Sequence, residues 1–334
     1  MRKIAAGLAM AALLSTSCAG AVPTAGMVTI NAAAAASVTG RLLYVRGGAI
    51  EELSTAGSRE LAKANPAVGD FMGPAWSPDG KRIAYAVRQK DFSDIGVMNA
   101  DGSNQTLLTH DQNSIVQDNL WAAMPAWSSP DGASLIFSSD RGKQEPNIDL
   151  RLWSLTLATR AFQQVSAPDV QAGGDADVQF RPGHPGQIVY TKWAYDATAT
   201  ATYATLVWQD ISGTASFTLT SSAFTDFQPA WSPDGKMLAF IRRGTATDDL
   251  YVATVPDTLT GNTTLNATLL ETGVNAQPTW SPDGTAIAYI AETDNQFDLF
   301  QVGVTTAPAL AANGKPVRLT TNGIDATSRP SWAK

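Results

Sequence analysis

The chain has 334 residues, of which 44% are hydrophobic and 16% charged, with a formal net charge of −7 at pH 7. That apolar content can bury a core, which excludes a globally disordered chain. The acidic balance argues against nucleic acid and against anionic membrane surfaces as electrostatic partners.

Taken in chain order, the N-terminus reads as an export signal. Arg2 and Lys3 precede the apolar run of residues 4–14, which is too short to cross a bilayer as a stable helix. The small residues "STSCAG" follow and carry the only cysteine, Cys18. A cysteine placed there resembles a bacterial lipoprotein signal, in which Cys18 would become the lipidated first residue, although Ser15 stands where that signal prefers leucine. Ordinary cleavage further along, with Cys18 discarded, is the alternative. Removing Arg2 and Lys3 with the signal takes the net charge from −7 to −9 and leaves a body without cysteine, so no disulfide can hold it together. Residues 1–18 are thus read as signal, residues 19–37, uncharged and of low complexity, as a flexible tether, and residues 38–334 as the folded body.

The body begins with three predicted strands, "GRLLYVRG" (40–47), "AIEELS" (49–54) and "SRELA" (58–62). One unit then recurs. "PAWSPDG" starts at Pro74 and again at Pro229, "PAWSSPDG" at Pro125 and "PTWSPDG" at Pro278. A degraded copy, "VQFRPGHPG", starts at Val178, and "RPSWAK" ends the chain. The aromatic slot falls at Trp76, Trp127, Phe180, Trp231, Trp280 and Trp332, with spacings of 51, 53, 51, 49 and 52 residues. Periods of this size mark a propeller or another repeat array.

Each unit reads as a short Pro-x-Trp strand and a Ser-Pro-Asp-Gly turn, followed by three further strands. Second strands include "RIAYAV" (82–87) and "AIAYIA" (286–291); third strands include "DIGVMN" (94–99) and "DLYVATV" (249–255). Four antiparallel strands per period make a propeller blade. The N-terminal strands lack a first strand, and "RPSWAK" is a first strand with nothing after it. The two fragments complete one blade between them and close the ring. The expected fold is therefore all-β: one six-bladed β-propeller of four-stranded antiparallel blades, with the N- and C-terminal strands sharing a blade.

These repeats resemble the TolB-like propeller family, over roughly residues 40–334. The resemblance implies a periplasmic propeller that binds partner proteins of the cell envelope. In that family the propeller follows a separate α/β domain, for which residues 19–40 leave no room, and the hydrolase domain carried by some related peptidases is expected to have no counterpart.

The Ser-Pro-Asp-Gly turns should lie on one face. The longer second-to-third-strand loops and the blade-to-blade connections should lie on the other, where function on a scaffold is usually carried. Trp121, Trp193, Tyr195 and Phe227 are aromatics outside the repeat pattern on that face, suited to a partner interface. Arg242, Arg243 and Arg329 are candidate anchors for an acidic group. Asp118, Asp175, Asp177, Asp226, Gln228 and Gln277 are expected to ring the channel mouth, where the aspartates could gather around a cation. Each of these has a plainer reading, as edge packing, solvated arginines or turn aspartates. The aspartates that open the third strands, Asp94, Asp149, Asp249 and Asp298, recur with the blade and read as backbone caps.

The chain holds two histidines, His110 and His184, and no G-x-S-x-G, H-E-x-x-H or phosphate-loop motif. The expectation is a non-enzymatic, monomeric interaction module without cofactor or metal, exported to the periplasm or outer surface, with an envelope protein or peptide docked on the long-loop face. Its membrane contact would be limited to a lipid on Cys18. Two alternatives are a sensor of a sugar or small ligand in the channel mouth and a metal-dependent propeller lyase or hydrolase.

Overall fold

The computed structural model describes residues 29–30, 36–64, 67–143, 149–168, 174–196, 198 and 202–334; Cys18 and most of the tether lie outside them. Six four-stranded antiparallel sheets form the expected ring. Blade 1 is the shared one: Ser331–Ala333 supplies its inner strand, followed outward by Arg41–Arg46, Ala49–Ser54 and Gly57–Ala62. Arg41 faces Ala333 and Leu43 faces Ser331, so the ring is closed by strand pairing. Blade 2 consists of Asp70–Trp76, Arg82–Arg88, Ser93–Asn99 and Thr106–Leu107; blade 3 of Ala122–Trp127, Ser134–Ser139, Arg151–Thr156 and Phe162–Gln164. Blade 4 consists of Asp175–Phe180, Gln187–Tyr195, Thr202–Asp210 and Ser216–Thr218; blade 5 of Thr225–Trp231, Met237–Arg243, Asp248–Thr254 and Ala267–Glu271. Blade 6 consists of Asn275–Trp280, Ala286–Thr293, Gln296–Thr305 and Ala311–Arg318. Outside the blades, Thr29–Ile30 pairs with Thr320–Thr321.

The second strands are buried on both faces, as at Ile83 to Val87, because each blade has a neighbour on either side. The aromatic of each first strand is the joint between blades. Trp127 Nε1 donates to the carbonyl oxygen of Ala75 at 2.9 Å, and Trp280 Nε1 to that of Ala230 at 3.1 Å. The turns that follow have one internal logic. Ser77 Oγ donates to Asp79 Oδ1 at 2.6 Å and accepts the Arg82 N–H at 2.9 Å, while Gly80 takes the left-handed conformation at φ 67°. Ser281 and Asp283 repeat the pattern in blade 6.

The third-strand aspartates are local clasps. Asp94 Oδ1 accepts from Thr109 Oγ1 and from the Asp111 N–H, both at 2.8 Å; Asp298 Oδ1 accepts from Thr320 Oγ1 at 2.8 Å.

Candidate functional site

Every full blade has a bulge in its first strand, seen as a register shift between Met72 and Ala75, Ala176 and Gln179, Phe227 and Ala230, and Ala276 and Thr279, and opposite Ile136–Ser138 in blade 3. The residue at the bulge, three before the aromatic, is left-handed: Gly73 (φ 51°), Met124 (55°), Asp177 (55°), Gln228 (56°) and Gln277 (52°). Arg329 holds the same position in blade 1.

These side chains plug the channel instead of ringing an open mouth. The Gln277 N–H donates to Gln228 Oε1 at 2.8 Å, and the Gln228 N–H to Thr191 Oγ1 at 3.0 Å. Thr191 Oγ1 in turn donates to Asp177 Oδ2 at 3.3 Å. Arg329 donates to the carbonyl oxygens of Met124 (3.3 Å) and Val178 (2.9 Å). A Cβ on Gly73 would lie 3.2 Å from Met124 Sδ, so the glycine makes room for that side chain. Burial pushes the Asp177 carboxyl above the ordinary range, opposed by the Arg329 charge. The same burial pushes Arg329 down, opposed by Asp177.

Three sequence expectations are corrected here. Arg329 is buried in this plug and is not a loop anchor. Arg242 is committed to Asp226, with Nε and Nη2 donating to the two carboxylate oxygens at 2.6 and 2.8 Å, because the two face each other across the strand pair. The aspartates do not gather around a cation. Asp175 lies beside Lys192 (3.7 Å), Asp226 binds Arg242, Asp177 is in the plug, and Asp118 is exposed on a short 3₁₀ turn. Among the described residues, no group of three His, Cys, Asp or Glu is placed to hold a metal ion.

The structure does bring together Trp193, Phe227, Arg242 and Arg243, where blades 4 and 5 meet on the long-loop face. The Trp193 and Phe227 rings lie 6.0 Å apart. The Arg243 guanidinium sits over both, 5.9 Å from the Trp193 centroid and 5.0 Å from that of Phe227. Phe227 itself is buried. The exposed ring is Phe224, at 46% exposure with Arg242 stacked 3.9 Å from its centroid, and the sequence reading passed over it. It stands one residue ahead of the strand that pairs Thr225 with Arg243, where no repeat position marks it. Trp193 and Tyr195 belong to strand Gln187–Tyr195 and not to a long loop. Trp121 lies apart in blade 3, half-buried, its N–H held by Asp140 Oδ1 at 2.7 Å.

A second open space lies on the other face. A cavity of about 540 Å³ occupies the turn-face end of the channel. It is walled by the residue preceding each aromatic: Ala75, Ala126, Gln179, Ala230, Thr279 and Ser331. Prolines of the turns form its rim, and Arg329 reaches it from the plug. Among the described residues, no helix is long and apolar enough to cross a membrane.

No protein-family model matches the chain. Over 177 residues, 53% of its length, the chain is 29% identical to the uncharacterized peptidase YuxL of Bacillus subtilis (strain 168), and the match spans 22% of that relative. Its fold superimposes on TolB from Acinetobacter baumannii with a TM-score of 0.65, covering 88% of this chain and 66% of that one at 18% identity. An oligogalacturonate lyase in complex with manganese superimposes with a TM-score of 0.50, covering 76% and 68% at 13% identity. The chain thus has the TolB-like six-bladed propeller fold, and it spans about a fifth of the curated relative it matches. The expectation of a non-enzymatic chain is overturned by these relatives, one named a peptidase and one a lyase on the same fold. Linear catalytic motifs are a poor guide on a propeller, where blades far apart in sequence can contribute to one site.

Proposed function

We propose that the protein is an exported TolB-like propeller that binds a protein or peptide partner of the cell envelope. The partner docks on the long-loop face at the junction of blades 4 and 5. The observation that carries this reading is Arg243, half-exposed above Trp193 and Phe227 and next to the exposed Phe224. Aromatic rings with an arginine at their centre are the composition of interface hot spots. The signal-like N-terminus supports delivery to the envelope, with Cys18 either lipidated or removed. The test is recovery of envelope proteins on the parent and on Trp193→Ala and Arg243→Glu variants of equal stability. Loss of a specific partner supports the reading; unchanged recovery overturns it.

The match to a named peptidase over half of the chain favours a second reading, hydrolysis or elimination on a peptide or oligosaccharide. Turnover of a peptide library or of oligogalacturonate by the purified protein would establish it, and no turnover on either would remove it.

A further inference from the structure

We propose that the turn-face end of the channel is a second binding site, taking a small organic carboxylate with its charge toward Arg329 and its apolar or ring body against the alanine and proline wall. The site lies on the face opposite to the docking patch and does not depend on it.

The cavity's size, about 540 Å³, is that of a small-molecule pocket. Its wall is divided. Ala75, Ala126 and Ala230 present methyl groups, while the same position in blades 4, 6 and 1 carries Gln179, Thr279 and Ser331. Ser331 Oγ already accepts the Trp76 N–H at 3.0 Å. Gln179 and Thr279 are half-buried and line the cavity, so their polar side chains are available to a ligand that displaces water there.

Charge then selects the class. The charged residues lining the cavity are Asp79, Arg329 and Lys334. Asp79 is at the rim and already committed, accepting from Ser77 Oγ and from the Lys81 N–H. Arg329 is at the inner end, 6% exposed and always charged. Its counter-charge, Asp177, lies behind it in the plug, and burial favours the neutral form of that carboxyl. An anion in the cavity supplies the compensation that Asp177 gives only in part, and a carboxylate matches the guanidinium fork. A cationic ligand would meet Arg329 head-on, and a wholly apolar one would leave Gln179 and Thr279 unpaired.

The test is calorimetric titration of the purified protein with benzoate and with benzamide, its neutral isostere. The proposal expects saturable benzoate binding, at least roughly tenfold weaker binding of benzamide, loss of benzoate binding in Thr279→Phe, which fills the cavity, and weakening in Gln179→Ala. Arg329→Lys should also weaken it, but Arg329 is part of the plug, so Thr279→Phe and Gln179→Ala, checked for parental melting temperature, decide the matter. Arg243→Glu should leave benzoate binding unchanged, which separates this site from the docking patch. No saturation up to ~10 mM benzoate, equal binding of benzamide, or undiminished binding in a folded Thr279→Phe protein would overturn the proposal.

Discussion

Arg329 donates through Nη2 to the carbonyl oxygen of Val178 at 2.9 Å, joining the C-terminal segment to blade 4 across the channel. In the five full blades a bulge turns the third residue before the aromatic inward, and Arg329 holds that position in blade 1. Every blade but the second, where Gly73 leaves room, therefore brings a side chain toward the axis. The plug separates the two faces of the ring, leaving a patch on one and a cavity on the other.

Removing Arg329 should expose the cost of the plug. Arg329→Met removes the donors to the Met124 and Val178 carbonyl oxygens and the charge that opposes the raised Asp177 pKa, and should cost about 1–3 kcal/mol. Burial raises the carboxyl's folded-state pKa, and loss of the arginine raises it further. A raised Asp pKa favours the folded state at low pH, and that advantage is lost as pH climbs through the folded value. The deficit should therefore be smallest near the unfolded carboxylate value of 3.8 and grow toward pH 7. Urea unfolding at several pH values checks this; a pH-independent deficit would contradict it.

The blade joints should not be equivalent. Trp127→Phe loses the indole bond to Ala75 and should cost about 1–3 kcal/mol. Trp231 Nε1 is buried and makes no hydrogen bond, so Trp231→Phe removes an unpaired donor and should cost about 1 kcal/mol less. Both joints carry an arginine over the ring, Arg82 and Arg181, so that contribution largely cancels in the comparison. Denaturation midpoints of the two variants give the answer, and equal losses would refute the assignment.

Much of this ring could be read in the sequence because the unit repeats. The aromatic at 76, 127, 180, 231, 280 and 332 fixes the blade count, and the unpaired terminal strands fix the closure. The −3 positions were visible in the same register, but that they meet at the axis depends on a bulge, which hydrophobic patterning does not encode. The patch was half-legible: Trp193 and Phe227 stood out as aromatics, yet their contact crosses a blade boundary and Phe224 carries no repeat signal. The cavity went unread because its wall is built from the repeat itself, from residues whose recurrence suggested packing alone.

Acid should weaken the turns. A hydrogen bond from Ser77 lowers the Asp79 carboxyl below its ordinary value, and one from Ser281 does the same for Asp283. A depressed carboxylate pKa contributes stability that is present above the unfolded value of 3.8 and lost as pH falls through the folded one. The double variant Asp79→Asn/Asp283→Asn should melt below the parent at pH 7, with the gap closing below about pH 4. Melting curves from pH 3 to 7 check this, and a constant gap would count against it.

Ring closure has a latch besides the strand pairing. Asp325 accepts the Gly47 and Gly48 N–H groups through its two oxygens, each at 2.8 Å, and both glycines are left-handed. Asp325→Ala should cost about 1–3 kcal/mol and speed amide exchange in strand Arg41–Arg46 ahead of the other blades. Uniform acceleration over all blades would place the loss elsewhere.

The central claim is that a partner docks on the long-loop face. Its most direct test is a photo-crosslinking residue placed at Phe224, on the docking patch, or at Pro78, on the turn-face rim, in cells that make the partner. The account predicts a discrete crosslinked protein from position 224, abolished by Arg243→Glu, and none from position 78. The same protein captured from position 78 and not from 224 would contradict it.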